Sequence, residues 1–310
     1  MTEIAVILPC YNEEAAIAKT VRDFRAALPT AKVYVYDNNS KDRTALVARE
    51  AGAIVRSEMR QGKGNVMRRM FADVEADIYV LADGDDTYDA AASPALIRRL
   101  VEDGLDIVTG RRVHTQAGAY RAGHVLGNRM LTGLTSLMFN VRLGDMLSGY
   151  RIMSRRFVKS FPFTAEGFGI ETELTVHAVR LMMPMAEIDT AYKERPPGSV
   201  SKLSTYRDGF KILFTIAQML REERPLLFFG AIAIALAIAS LALGFSIVVE
   251  FVHTGLVPRL PTALLATGLM LVAFLSLMSG LILDTVTRGR WANKRLAYLS
   301  IRGPQDLPLP

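Results

Sequence analysis

Apolar and polar positions alternate in two different ways along this chain, and the change falls near residue 205. Before it, short apolar strands give way to helical segments. Glu3–Leu8 reads as a strand. Glu13–Leu28 follows it with apolar residues at Ile17, Val21, Phe24 and Leu28, the spacing of a helix with one buried face. Lys32–Tyr36, Ala53–Arg56, Asp77–Ala82 and Asp106–Thr109 read as further strands. Asp42–Ala51, Gly64–Val74 and Pro94–Glu102 read as helices between them. Strand–helix alternation of this kind predicts an α/β domain over residues 1–204, with a mostly parallel sheet covered by helices on both faces. Ligands of such sheets bind beyond the carboxyl ends of the strands. The polar clusters Tyr11-Asn12-Glu13, Asp37-Asn38, Asp83-Gly84-Asp85 and Arg111-Arg112 are expected at those ends.

Beyond residue 225 the period disappears. Leu226–Val249 is 24 residues without a charge, and Ala263–Leu283 is another 21. Roughly 18–20 apolar residues suffice to cross a bilayer core as a helix, so two transmembrane helices are expected, at 226–249 and 263–283. Tyr206–Leu220, within a 205–225 linker, is expected to lie at the membrane interface; Met130–Phe139 reads equally as a core helix. Arg221 and Arg224 precede the first span, and Arg288, Arg290, Lys294, Arg295 and Arg302 lie in a basic tail over 284–310. The positive-inside rule then puts both termini in the cytoplasm of a two-pass protein of the cell membrane. The Met-Thr-Glu-Ile start leads directly into a strand, so no secretory signal is expected.

The composition agrees with that division. Half of the 310 residues are hydrophobic, 22% are charged, and the net charge is +6. A disordered chain is excluded, as is a disulfide scaffold, since Cys10 is the single cysteine. The bases are dispersed and match no nucleic-acid module, so no nucleic-acid partner is expected. No G-x-G-x-x-G follows the first strand and no P-loop motif occurs, which disfavours dinucleotide and NTPase folds.

Asp83-Gly84-Asp85 is the most informative cluster. Two carboxylates one residue apart after a buried strand suit Mg²⁺ or Mn²⁺ held jointly with a diphosphate, and Gly84 would leave room for that phosphate. A plain polar turn is the alternative. Gln61-Gly62-Lys63-Gly64 would bring Lys63 and free backbone N–H groups to phosphate at a helix start. His114, His124, His177 and His253 lack metal-ligand spacing, and Cys10 reads as a buried thiol.

Five motifs in order carry a more specific likeness. They are Pro9-x-Tyr11-Asn12-Glu13-Glu14; Asp37-Asn38-x-Ser40-x-Asp42-x-Thr44; Asp83-Gly84-Asp85; Asp145-x-x-Ser148-Gly149-Tyr150-Arg151; and Arg195-x-x-Gly198-x-x-Ser201-Lys202-Leu203. From residue 4 to about 210 the chain resembles family 2 glycosyltransferases of GT-A fold. Within them it resembles the polyprenyl-phosphate branch, which includes dolichyl-phosphate mannose synthase and bacterial undecaprenyl-phosphate glucosyltransferases.

The resemblance implies a metal-dependent, inverting transfer of a hexose from a UDP- or GDP-sugar to polyprenyl phosphate at the membrane, by a protein able to form homo-oligomers. Pro9, Tyr11 and Glu13 would frame the nucleotide with Lys63 and Gly84, and Asp37 would bind the base. Asp83 would face ribose or metal, and Asp85 would hold the metal; Thr87 stands where some relatives carry a metal-binding glutamine. Arg112, Arg121, Asn128, Ser148 and Arg195 would meet the acceptor phosphate, and Lys202 would neutralise phosphate. Glu171 or Glu173 would matter as a base if the acceptor were a hydroxyl, on another lipid or a glycan. A non-catalytic membrane scaffold is the remaining alternative.

Overall fold

A computed structural model describes residues 2–114, 132–133, 135–139, 141–162, 169–194, 196 and 217–308. Contacts divide the chain into two units: Met1–Phe210 together with Asn293–Pro310, and Lys211–Ala292.

Among the described residues the first unit has seven strands: β1 (Ile4–Cys10), β2 (Lys32–Asp37), β3 (Ile54–Ser57), β4 (Ile78–Leu81), β5 (Ile107–His114), β6 (Arg151–Ser154) and β7 (Met185–Tyr192). Their order in one sheet is β3-β2-β1-β4-β6-β5-β7. Pairing is parallel throughout except at β6, which runs antiparallel to both neighbours. The expected mixed, mostly parallel sheet is therefore present. Helices α1 (Ile17–Ala27), α2 (Thr44–Glu50), α3 (Lys63–Asp73), α4 (Ser93–Glu102), α5 (Arg155–Ser160) and α6 (Ile170–Arg180) belong to the same unit. α1 buries Ile17, Thr20, Val21 and Phe24, the i, i+3, i+4, i+7 stripe of a helix lying on a sheet. Its stripe joins a core of Val6, Leu8, Val35, Val80, Leu96 and Ile152.

Arg111 and Arg112 lie inside β5, which continues to His114, and not beyond its end. The extension is stabilised by eight register pairs with β7, from Ile107↔Met185 to His114↔Tyr192. The C-terminal stretch closes the opposite end of this unit. Asp106, fully buried just before β5, accepts from Tyr298 Oη at 2.8 Å, from Arg156 Nη2 at 2.8 Å and from Ser154 Oγ at 2.7 Å. The Arg156 guanidinium also stacks 4.7 Å over the Tyr298 ring.

The second unit is a helical hairpin. Helix α7 (Pro225–Thr254) and helix α8 (Leu260–Leu299) are long and apolar enough to cross a membrane, with mean hydropathy of 2.6 and 2.1 over their most apolar windows. α7 ends at Gly255, whose φ of 69° is the left-handed conformation that stops a helix. Within this unit Ser240 Oγ donates to the Ala266 carbonyl at 2.7 Å and Ser276 Oγ to the Phe229 carbonyl at 2.9 Å. A Cβ at Gly280 would lie 3.1 Å from that of Phe229. Small residues and hydroxyls at the seam are how helices pack where lipid leaves no hydrophobic driving force. α8 runs past the expected end of its apolar span at residue 283, helped by the Asp284–Arg288 pair at 2.7 Å one turn apart.

Candidate functional site

Two loops meet at the carboxyl ends of β1 and β2, and their side chains tie each other down. Asn12 N donates to Ser40 Oγ at 2.9 Å, and Lys41 N donates back to Asn12 Oδ1 at 2.8 Å. Glu13 N donates to Thr44 Oγ1 at 2.8 Å, while Asp42 accepts from Thr44 N at 3.0 Å and Glu14 N at 3.2 Å. Ser40, Asp42 and Thr44 are thereby accounted for as the clasp between the two motifs. Three non-glycine residues with positive φ sit in the loops after β1, β2 and β4: Asn12 at 52°, Asn39 at 60° and Asp86 at 58°. Backbone strain of this kind collects where a loop must present its groups in one fixed geometry.

What the clasp leaves over is acidic. Asp37 accepts from Ser40 N at 3.1 Å through Oδ2, but its Oδ1 is buried without a partner. A buried carboxylate oxygen costs free energy until a donor reaches it, so this atom is preset to accept from an incoming N–H. Asn38 uses its whole amide to shape the approach to α3: Nδ2 donates to the carbonyls of Glu58 at 2.9 Å and Arg60 at 2.7 Å, and Oδ1 accepts from Gly62 N at 2.7 Å. Lys63, the first residue of α3, then reaches Asp83 Oδ1 at 2.6 Å and Glu171 Oε1 at 2.7 Å. Burial alone would lower the Lys63 pKa, but the two carboxylates outweigh it and hold the ammonium above its ordinary value. Asp85 is buried, and its Oδ1 accepts from Thr87 Oγ1 at 2.6 Å.

On the other side of the sheet's centre the cations are already matched. Arg112 grips Asp145 with both arms, Nε to Oδ2 at 2.7 Å and Nη2 to Oδ1 at 2.8 Å, with its guanidinium 5.6 Å over the Tyr192 ring. Arg111, on the opposite face of β5, makes the same forked pair with Asp189 in a far more exposed setting. Arg151 is fully buried at the start of β6. It donates to the carbonyls of Ser148 at 3.0 Å, Met146 at 2.7 Å and Glu171 at 2.9 Å and to Thr175 Oγ1 at 2.9 Å, so it braces the 145–150 loop against the first turn of α6. Burial pulls its pKa down to about 10.

The family model of glycosyl transferase family 2 matches residues 5–161, the stretch that carries β1 to β6 and these loops. The chain belongs to glycosyl transferase family 2. It is 32% identical over 251 residues to the glycosyltransferase AglJ of Haloferax volcanii, covering 80% of this chain and 82% of that one. It is 28% identical over 222 residues to a dolichyl-phosphate hexose transferase of the same organism, covering 72% and 96%. Among solved structures, glucosyl-3-phosphoglycerate synthase from Mycobacterium tuberculosis in complex with Mn²⁺, UDP-glucose and phosphoglyceric acid superposes with a TM-score of 0.54 at 25% identity, over 71% of this chain and 79% of that one. The sheet and its helices are thus those of a GT-A glycosyltransferase.

In a family 2 enzyme the metal question turns on the donor set. Among the described residues no group of three Asp, Glu, His or Cys side chains gathers at one point. Asp83 and Asp85 offer two carboxylates, with one oxygen of each already engaged by Lys63 or Thr87. Such a partial set fits a small hard cation that takes its remaining ligands from diphosphate and water, and does not fit a cation held by the protein alone.

Several expected roles change. Gly84 does not make room for phosphate: a Cβ there would lie 2.3 Å from Cys10 Sγ, so the glycine is required by the core beneath the loop. Ser148 is fully buried and spends its hydroxyl on the Gly110 carbonyl at 2.6 Å, which removes it from the acceptor phosphate. Glu171, named as one of two bases for a hydroxyl acceptor, faces Lys63. Pro9 is the penultimate residue of β1, and Tyr11 and Glu13 stand in the loop that follows, with Glu13 buried. Arg121, Asn128, Arg195 and Lys202 lie outside the described residues. Sequence reasoning missed Asp145 as the partner of Arg112, and Asn38 and Arg151 as organisers; all three stand inside motifs that it quoted. It also missed the role of Gly149, where a Cβ would come 2.8 Å from Asp83 Oδ2.

Proposed function

We propose that this family 2 enzyme transfers a hexose from a nucleoside diphosphate sugar to polyprenyl phosphate, with inversion and with Mg²⁺ or Mn²⁺, from the cytoplasmic face of the cell membrane. The observation that carries the reading is the contrast between the two halves of the site. Acidic groups with a spare buried oxygen line the donor side, and a half-buried arginine paired to a buried carboxylate lies across from them, on a chain that also holds two helices of membrane-crossing length. The reading is supported by the relative named for dolichyl phosphate and by the neighbour bound to UDP-glucose and Mn²⁺.

Asp37 Oδ1 accepts a base N–H, and Lys63 together with a cation on Asp83 and Asp85 meets the diphosphate. When bound, that cation supplies charge neutralisation for the leaving group. A phosphate monoester is ionised at neutral pH, so it attacks the anomeric carbon without a strong base; it needs cations that place it. Arg112 does so by exchanging Asp145 for phosphate, a match its planar fork allows. Arg121, Asn128 and Arg195 are assigned to the same acceptor phosphate, and Lys202 to the diphosphate of the leaving nucleotide. Glu171, one of the two acids a hydroxyl acceptor would use as base, is held by Lys63.

The test is incubation of the full-length protein in detergent with undecaprenyl phosphate and a panel of UDP- and GDP-hexoses. Formation of a lipid-phosphate hexose from one donor, with UDP-glucose the first choice, is expected. No lipid product from any donor would refute the assignment.

A further inference from the structure

Lys63 is an ammonium shared between two carboxylates from distant parts of the chain, Asp83 after β4 and Glu171 on α6. Both ends of this bridge are held by their surroundings. The Lys63 backbone begins a helix whose entry, Gly62 with φ of 128°, is pinned by Asn38 Oδ1. The Glu171 carbonyl accepts from Arg151 Nη2 and Thr175 Oγ1, both at 2.9 Å. Glu171 also lies in the first turn of α6, where the helix dipole favours a carboxylate. The bridge is therefore a fixed part of the site and not a chance surface pair.

An ammonium and a metal ion compete for the same carboxylate. Lys63 donates to Oδ1 of Asp83, two residues from Asp85, where the proposed cation binds. Each part of the ammonium's attraction that Glu171 takes up is attraction Asp83 does not receive. We propose that Glu171 is a positioning residue: by drawing Lys63 toward itself it leaves Asp83 able to hold the metal–diphosphate, and it keeps Lys63 beside that diphosphate. This inference rests on the metal-assisted reading of the donor site and adds a control on that site's affinity.

Its signature is a dependence of the Glu171 effect on Lys63. With Glu171→Gln the ammonium falls wholly to Asp83, so cation binding weakens. With Lys63→Met no ammonium is present, and Glu171→Gln then has little left to change. Gln keeps the backbone bonds of residue 171, so the fold is retained; thermal melting checks this.

The experiment measures Mn²⁺ binding by calorimetry in the presence of saturating UDP, for the full-length wild type, Glu171→Gln, Lys63→Met and the double variant. Glu171→Gln is expected to weaken Mn²⁺ binding about fivefold when Lys63 is present and less than about twofold when it is Met, the size of coupling usual for groups in direct contact. Equal weakening in both backgrounds, or none with Lys63 present, overturns the inference while leaving the donor site standing. Absence of Mn²⁺ binding to the wild type with UDP would overturn the metal reading itself, and this inference with it. A role for Glu171 as a base would instead give unchanged Mn²⁺ binding with a collapse in kcat.

Discussion

The two halves of the site solve opposite problems. On the donor side, at the ends of β1, β2 and β4, backbone and hydroxyl groups are consumed in clasping the loops together, and carboxylate capacity is left over. On the acceptor side, at β5 and the 145–150 loop, the charge is consumed as well: Arg112 and Asp145 satisfy each other. In the proposed reading a donor meets a prepared surface, whereas an acceptor displaces an internal partner. Breaking a buried pair from one end is costly because it strands the other charge. Arg112 is a structural element by this pairing, and in the proposed reading it is a recognition element as well.

The largest effect should come from the donor half. Asp85→Asn keeps the bond from Thr87 and hence the loop, but removes the charge. Turnover should fall about a thousandfold with melting nearly unchanged; near-normal turnover would remove Asp85 from the chemistry. On the acceptor half, Arg112→Ala should reduce turnover with lipid phosphate about ten- to hundredfold and leave UDP binding unaltered. It should also lower stability by about 3 kcal/mol, because the buried Asp145 carboxylate loses both arms of its guanidinium partner. Arg111→Ala, which disrupts the exposed pair with Asp189, should change neither quantity measurably. Equal effects of the two arginine variants would erase the difference between the faces of β5.

These contrasts also explain what could be read in advance. The strand–helix order, the mostly parallel sheet and the two apolar helices followed from hydrophobic period and run length. Strands β6 and β7 did not. β6 is four residues long and opens with an arginine that turns out to be fully buried, and the Met185–Tyr192 strand alternates weakly because most of it is half-exposed. The Asp83, Asp85, Asp37 and Lys63 cluster was visible because Asp, Gly and Lys stand out after apolar strands. The Arg112–Asp145 pair was not, since its partners lie 33 positions apart and only folding sets them face to face. Gly84 misled for a related reason: from sequence a glycine beside carboxylates suggests ligand access, yet the space it leaves is filled from below by Cys10.

Three further effects test the packing of the first unit. His177 on α6 is buried, with Nε2 3.1 Å from Ser160 Oγ and Nδ1 without a partner. Burial, with Lys294 nearby, lowers its pKa from 6.5 to about 3. Below pH 6.5 the unfolded chain binds a proton that the folded one refuses, so stability falls as the pH drops from 6.5 toward 3. The loss should reach about 3 kcal/mol near pH ~4. His177→Gln should flatten that part of the denaturation profile; an unchanged slope would assign it to other groups. Tyr298→Phe removes one of the donors to buried Asp106 and should cost about 1–2 kcal/mol, read as a melting temperature lower by a few degrees. For the same reason a fragment ending near residue 222 should be less stable than the intact first unit, which includes Asn293–Pro310.

The acceptor is the centre of the account, and one comparison addresses it directly. Purified full-length protein, supplied with its best nucleotide sugar and Mn²⁺, is offered either undecaprenyl phosphate or undecaprenol, and labelled sugar is counted in the lipid phase. Transfer to the phosphate and none above background to the alcohol is the predicted result. Equal or faster transfer to the alcohol would contradict it.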